Sequence, residues 1–308
     1  MSGTLEPTDV EIPARDGFAL GGTLYRPDTE SRRTVVINPA IAVPGRFYRH
    51  FAAGLAEAGY TALTWDYRGV GASKTGSLRG FSATVRDWIF QDMAGVVDWV
   101  AAELGPRRIY LVGHSLGGQV AGLLDNADQI DGMATMSAQS GYWGHQYREW
   151  KVIALLHAYL TLPLLSRVFG YGPWGMFGPG ENLPKRAALD WAGWCRHREY
   201  VLGDISLPLE RYQQFTAPVL AYSFGDDKWG QPRSVDAMMC AYPKVEHRHV
   251  EPADDSDFEV PVWPSRAVID SATTRFPSHS AQEAWARSTA PGTPVSTGRW
   301  RSRSCRRT

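Results

Sequence analysis

Cysteine is scarce: Cys195, Cys240 and Cys305 are the only three in 308 residues. An odd number at wide spacing fits neither a disulfide framework nor a zinc cluster. Net charge is missing too, because 32 Lys and Arg balance 32 Asp and Glu, so no overall field selects a nucleic acid or a membrane as partner. The opening "MSGTLEPTDVEIPARD" lacks the basic start and apolar core of a secretory signal, which makes the cytoplasm the expected location. The longest apolar run, "VIALLHAYLTLPLLSRVF", is interrupted by His157, Pro163 and Arg167. It reads as no membrane span but as a pair of greasy surface or lid helices. One further absence is regional: from Asp255 onward there is no Leu and no Lys, while Arg, Ser, Thr and Pro crowd in. Such a segment can scarcely supply a core helix.

What is present points to a globular α/β protein with 12 Trp and 13 Tyr, a load that suits a roomy apolar pocket. Residues 8 to 26 alternate as two strands joined through Asp16-Gly17. "TVVIN", a helical "RFYRHFAAGLAEAG", the strand "YTALTWD" and a long helix follow. That helix carries one apolar stripe, Ile89, Met93, Val96, Val97, Val100 and Leu104. "GMATMSA" and "PVLAYSF" read as later buried strands. Strands alternating with helices predict a mostly parallel sheet covered on both faces. Between the last two strands, residues 139–213 are too long for an ordinary connection and rich in Trp, Tyr, Gly and Leu. Leaving a carboxyl end of the sheet, they are expected to form a helical cap over the site.

The chemistry-bearing stretch is "RRIYLVGHSLGGQVAGLL", residues 107–124. An apolar run from Ile109 to Val112 meets Gly-His-Ser-Leu-Gly-Gly without a spacer, and Val120, Leu123 and Leu124 continue at helical spacing. In a strand–turn–helix of this kind the central residue sits at a strained backbone angle, so positions two before and two after must be small. Gly113 and Gly117 occupy them. Ser115 is the candidate nucleophile, at a helix N-terminus that favours developing negative charge. In "PVLAYSFGDDKWGQP" Asp227 is the candidate acid, with Asp226 as its rival and a pair of solvated turn aspartates as the plainer alternative. Candidate oxyanion donors are the Leu116 N–H and one from Asn38-Pro39-Ala40-Ile41, where Pro39 cannot donate, Ala40 is preferred and Ile41 stands behind it.

"DYRGVGAS" at 66–73, the Ser115 turn and "FGDDKW" together resemble the α/β-hydrolase superfamily. They are most similar to a bacterial group of predicted serine hydrolases that shares the "NPA...RFYRHFA", "GSLRGF" and "SGYW" segments. The resemblance covers roughly residues 8–254. It implies an α/β-hydrolase fold, an ester or amide substrate, and a histidine base in the loop after the strand that follows Asp227. In that group the loop reads approximately Gly-His-Phe-Gly-Phe-Phe; here "PAD" at 252–254 is followed by "DSDFEVPVWPSRAVIDSATTRF", without histidine.

Three readings of that absence stand. The segment is an out-of-frame translation of an ending that carried the base, or a divergent ending in which His279 enters the site, or the chain is a pseudo-hydrolase that binds small apolar ligands. His249 sits too early on its strand and His114 flanks the nucleophile too closely to serve. His50, His145, His157 and His197 precede the acid in sequence. Two decoys are set aside. "GVGASKTG" has Ser73 where a phosphate loop needs Gly. His247 and His249 with Asp254 and Asp255 could hold a metal, but read better as ordinary strand histidines.

The expected organisation is a hydrolase core at 1–138 and 214–254, a cap at 139–213 and an atypical tail at 255–308. The expected function is a carboxylesterase-like serine hydrolase, with thioesterase, peptidase or acyltransferase behind it. A small apolar acyl compound is the expected partner, and no cofactor, metal or nucleic acid is called for.

Overall fold

The computed structural model describes residues 5–105, 108–178, 180–252 and 295–299. The first strands, β1 (Thr8–Pro13) and β2 (Ala19–Tyr25), form the expected hairpin. Gly17 takes φ +83° in its turn, a conformation glycine adopts without penalty. β3 (Arg33–Asn38), α1 (Arg49–Glu57) and β4 (Thr61–Trp65) follow. Next comes one continuous helix built from α2 (Val85–Asp87), a π-turn at Trp88–Met93 and α3 (Ala94–Glu103). β5 (Arg108–His114), α4 (Leu116–Gln119) and β6 (Ile130–Met136) complete the first half.

The excursion predicted as a cap holds α5 (Lys151–Leu156), α6 (Leu162–Phe169), the two-residue strands β7 (Tyr171–Gly172) and β8 (Leu183–Pro184), and α7 (Lys185–Arg196). α8 (Arg211–Gln214), β9 (Val219–Phe224), α9 (Pro232–Met239) and β10 (Val245–Pro252) return to the core. β11 (Val295–Arg299), inside the segment expected as a tail, pairs antiparallel with β10.

The main sheet runs β1-β2-β4-β3-β5-β6-β9-β10-β11, parallel from β4 to β10. Its period of two sorts side chains between faces. Val36, Val219 and Ala221 enter the larger core beside the helix 85–103, whereas Val35 and Ile37 pack under α1. The predicted stripe at Ile89, Met93, Val96, Val97 and Val100 is fully buried.

Two elements differ from expectation. The helix after Ser115 stops at Gln119 and passes into a 3₁₀ turn, Ala121–Leu123. Tyr242 Oη accepts the Gly122 N–H (2.8 Å) and donates to Gly118 O (2.9 Å), so it stands inside the bond that would have continued the helix. The predicted pair of lid helices is instead one helix from 151 to 169 with a π-turn at His157–Thr161. Pro163 offers no N–H to the preceding turn and crowds its carbonyl, and the widened turn accommodates this.

Candidate active site

β5 ends and α4 begins within one residue. At that junction Ser115 has φ +47° and ψ −116°, a region costly for any side chain. Its neighbours hold it there. The Ser115 N–H donates to Met136 O at the end of β6 (2.9 Å), and Ser115 O accepts from the Gly118 and Gln119 N–H groups (3.0 Å each). A methyl group at Gly113 would lie 2.4 Å from Gly118 Cα, and one at Gly117 would lie 2.4 Å from Asn38 O. Both predicted small positions are therefore required by backbone packing. Gly118, which the motif left unspecified, is a third: a methyl there would meet Thr135 Cγ2 at 2.8 Å. Ser115 is half-buried, and no described side chain hydrogen-bonds its hydroxyl.

Of the two aspartates after β9, Asp226 is exposed and Asp227 half-buried. Asp227 Oδ1 accepts the Trp229 and Gly230 N–H groups (2.8 and 2.9 Å). Its other oxygen packs so closely over Gly230 that a methyl group there would lie 2.4 Å away, and 3.1 Å from Ser137 Cβ. Ser137 directly follows β6, has φ +48° and donates its N–H to Tyr222 O. Sequence reasoning missed it; its one local signal is its place just beyond a buried central strand. The Asp227 charge also reaches the His114 ring and the Tyr147 phenol. The acid turn thus faces the Ser115 turn across β6.

The donor loop after β3 is arranged differently from expectation. The Ala40 N–H, expected to point at an oxyanion, donates to Tyr48 Oη (3.0 Å), which also bonds His114 Nδ1 (2.9 Å). Burial pushes the His114 imidazole down to about 4 against the opposing charge of Asp227, so it is neutral and can accept the Tyr48 proton. His114 therefore packs beside the Ser115 turn with its Nδ1 taken up by Tyr48. Among the described residues, the Leu116 and Ile41 N–H groups meet no acceptor.

Four other histidines are engaged elsewhere. His145 Nδ1 bonds Ser140 Oγ (3.1 Å), and His157 packs edge-on to Trp174 and Phe177. His247 Nε2 and His249 Nδ1 both bond Ser223 Oγ (2.8 and 2.9 Å), with Asp236 and Glu251 on their outer nitrogens. They are structural strand residues, and no group of three or more metal-ligating side chains occurs among the described residues. Asp254, Asp255 and His279 lie outside the described residues.

"DYRGVGAS" is a brace. Asp66 accepts the Gly45 and Ala72 N–H groups (2.6 and 2.9 Å), and Gly71 must be glycine because a methyl there would strike the Asp66 carboxylate. Buried Arg68 joins Asp16 and Asp92, both at 2.6 Å. Glu181 of the excursion between β6 and β9 clasps the same loops, accepting from Gly71 N–H (2.9 Å) and Arg46 (2.6 Å) while its own N–H donates to Ala42 O. At the other edge of the excursion, Arg233 donates to Gln146 O (2.9 Å), Gln231 to His145 O, and Trp150 packs on Trp229. Segments of the excursion 139–213 therefore lean on both the loop after β3 and the turn after β9.

The Hydrolase_4 family model, serine aminopeptidase S33, matches residues 29–174. The chain is 33% identical over 75 residues to the probable aminopeptidase YbaC of Bacillus subtilis, a match covering 24% of this chain and 23% of that protein. It thus spans about a quarter of that relative's length. Solved structures align over far more of the chain. A soluble variant of monoglyceride lipase from Saccharomyces cerevisiae, in complex with a substrate analogue, matches with TM-score 0.61 at 15% identity over 82% of this chain and 87% of that one. An esterase from Exiguobacterium antarcticum gives 0.52 at 17% over 79% and 90%. Est1E from Butyrivibrio proteoclasticus, with ferulic acid bound, gives 0.51 at 18% over 79% and 89%. In strand order and in its alignment with these solved structures, the chain has the α/β-hydrolase fold.

Proposed function

We propose that the chain is a serine hydrolase of carboxylic esters with Ser115 as nucleophile. The observation that carries this reading is the positive φ of Ser115 between β5 and α4, held by glycines that admit no Cβ. A strained residue enforced by its surroundings at a strand-to-helix turn is the device that presents a nucleophile. In the reaction Ser115 Oγ bonds to the acyl carbon as its proton passes to a base. The carbonyl electron pair moves onto oxygen, the ester bond breaks, and the base returns the proton to the leaving alkoxide. Water then repeats the sequence on the acyl-enzyme. Leu116 N–H supplies one oxyanion donor. Because Ala40 is bonded to Tyr48, Ile41 takes the second place in this reading. Asp227 orients and charge-stabilises the base. His279 is assigned as that base because it is the one histidine in the chain beyond β10.

A second reading, a hydrolase-like binder of small apolar ligands without turnover, is favoured by one observation: no described histidine hydrogen-bonds the Ser115 hydroxyl. Rates on p-nitrophenyl esters of increasing acyl length, beside aminoacyl p-nitroanilides, test both readings in the wild type, Ser115→Ala and His279→Ala. The ester reading expects hydrolysis that both substitutions abolish and a preference for medium acyl chains, since each buried methylene contributes about 0.8 kcal/mol. Faster cleavage of the anilides makes the chain an aminopeptidase. Ligand binding with no turnover in the wild type makes it a binder.

A further inference from the structure

The helix 151–169 reverses the usual polarity of a surface helix. Val152, Ile153, Leu156, Leu160, Leu164 and Val168 are each 49–66% exposed. Through the π-turn, positions 153, 156, 160, 164 and 168 fall on one stripe, and the opposite stripe, Ala158, Leu162 and Ser166, is buried in the cap. A helix covering a protein from water carries its charges outward; this one carries branched aliphatic side chains there. From Trp150 to Gly180 the sequence has no Asp or Glu, and its cations are Lys151 at the start of the helix and Arg167 at its end. Arg196 adds a guanidinium 5.7 Å over the Tyr159 ring and donates to Ala158 O (3.2 Å). Met176 and Phe177, 64% and 46% exposed, continue the apolar surface.

We infer that this face of the cap is a docking surface for an anionic lipid bilayer, in whose interface the helix lies parallel to the membrane plane. The apolar stripe would enter the acyl boundary while Lys151, Arg167 and Arg196 meet the phosphates, the arrangement expected of an interfacial helix. By length and composition the helix could also cross a bilayer, but crossing would strip Ala158, Leu162 and Ser166 from the cap, and lying flat preserves that packing. A second copy of the chain fits less well. Side-by-side two-fold pairing of this helix sets Lys151 against Lys151 or Arg167 of the other copy, with no acid in the segment to pair them. The surface stands whether or not Ser115 is a nucleophile, because docking needs no turnover.

Sedimentation of the full chain with phosphatidylcholine vesicles, with and without phosphatidylglycerol, tests it. The wild type is expected to pellet with the mixed vesicles and to be released by salt. Lys151→Gln and Arg167→Gln should each weaken binding about fivefold, and Leu156→Glu with Leu160→Glu should weaken it tenfold or more. Unchanged circular dichroism melts in these variants separate lost docking from lost fold. A wild type that ignores both kinds of vesicle overturns the inference, as does the double Glu variant binding like wild type. A dimer that the double Glu variant dissolves, in a protein that no vesicle pellets, assigns the face to a second copy.

Discussion

The turn after β5 and the turn after β9 flank β6 and each carries a polar side chain past the carboxyl end of the sheet, but they are secured by opposite means. At Ser115 the backbone is forced: positive φ, three glycines in near contact with neighbouring main chain, and a hydroxyl that no described side chain engages. At Asp227 the backbone is relaxed and the side chain is tied, one oxygen accepting two amides of its own turn. Strain leaves a hydroxyl available, whereas self-capping fixes a carboxylate's direction. A nucleophile needs the first and an orienting acid the second.

Substitutions that exchange these roles sharpen the contrast. The largest expected effect is catalytic: Asp227→Asn keeps an oxygen for the Trp229 and Gly230 amides but loses the charge. Ester hydrolysis should fall roughly 10⁴-fold, with the denaturation midpoint nearly unmoved. Next, Gly117→Val should destabilise the fold by about 3 kcal/mol, because its side chain meets Asn38 main chain that cannot withdraw; urea unfolding measures this.

A smaller effect concerns His114, half-buried beside Ser115. Burial holds its imidazole at about 4, below the usual histidine value of about 6.5. The unfolded chain therefore binds the proton more readily, and stability is complete above that usual value and lost as pH falls toward 4, by about 2 kcal/mol between pH 7 and 4.5. The unfolding free energy of His114→Gln should fall less than that of wild type between pH 7 and 4.5. Last, Asp226→Asn should leave rate and stability within about 0.5 kcal/mol of wild type, since that side chain is exposed. A large loss there would exchange the roles assigned to the two aspartates.

Legibility in the sequence followed how local each constraint is. The stripe of the helix 85–103 is a short-range pattern, and Ile89, Met93, Val96, Val97 and Val100 bury as expected. The glycines around Ser115 were legible because a forced turn admits few residues. Bonds set by distant partners were not. Tyr48 lies 66 residues from His114, Tyr242 lies 120 from Gly122, and Glu181 lies 110 from Gly71. Nothing near those tyrosines distinguishes a hydroxyl that takes the Ala40 amide, or one that ends a helix, from an ordinary core phenol.

The two long helices show the same limit. Both are apolar and both widen into a π-turn. Composition could not tell that 85–103 would bury even Asp92, paired with Arg68, while 151–169 would turn its leucines outward. Burial depends on what the rest of the chain places opposite.

Ser115 as the reactive hydroxyl is the central claim. Incubation of the folded protein with a fluorophosphonate probe, followed by peptide mapping, reads that claim without a known substrate. The account predicts an adduct on Ser115, absent from Ser115→Ala and formed more slowly in Asp227→Asn. An adduct on another serine, with Ser115 unmodified in a protein that melts cooperatively, would contradict it.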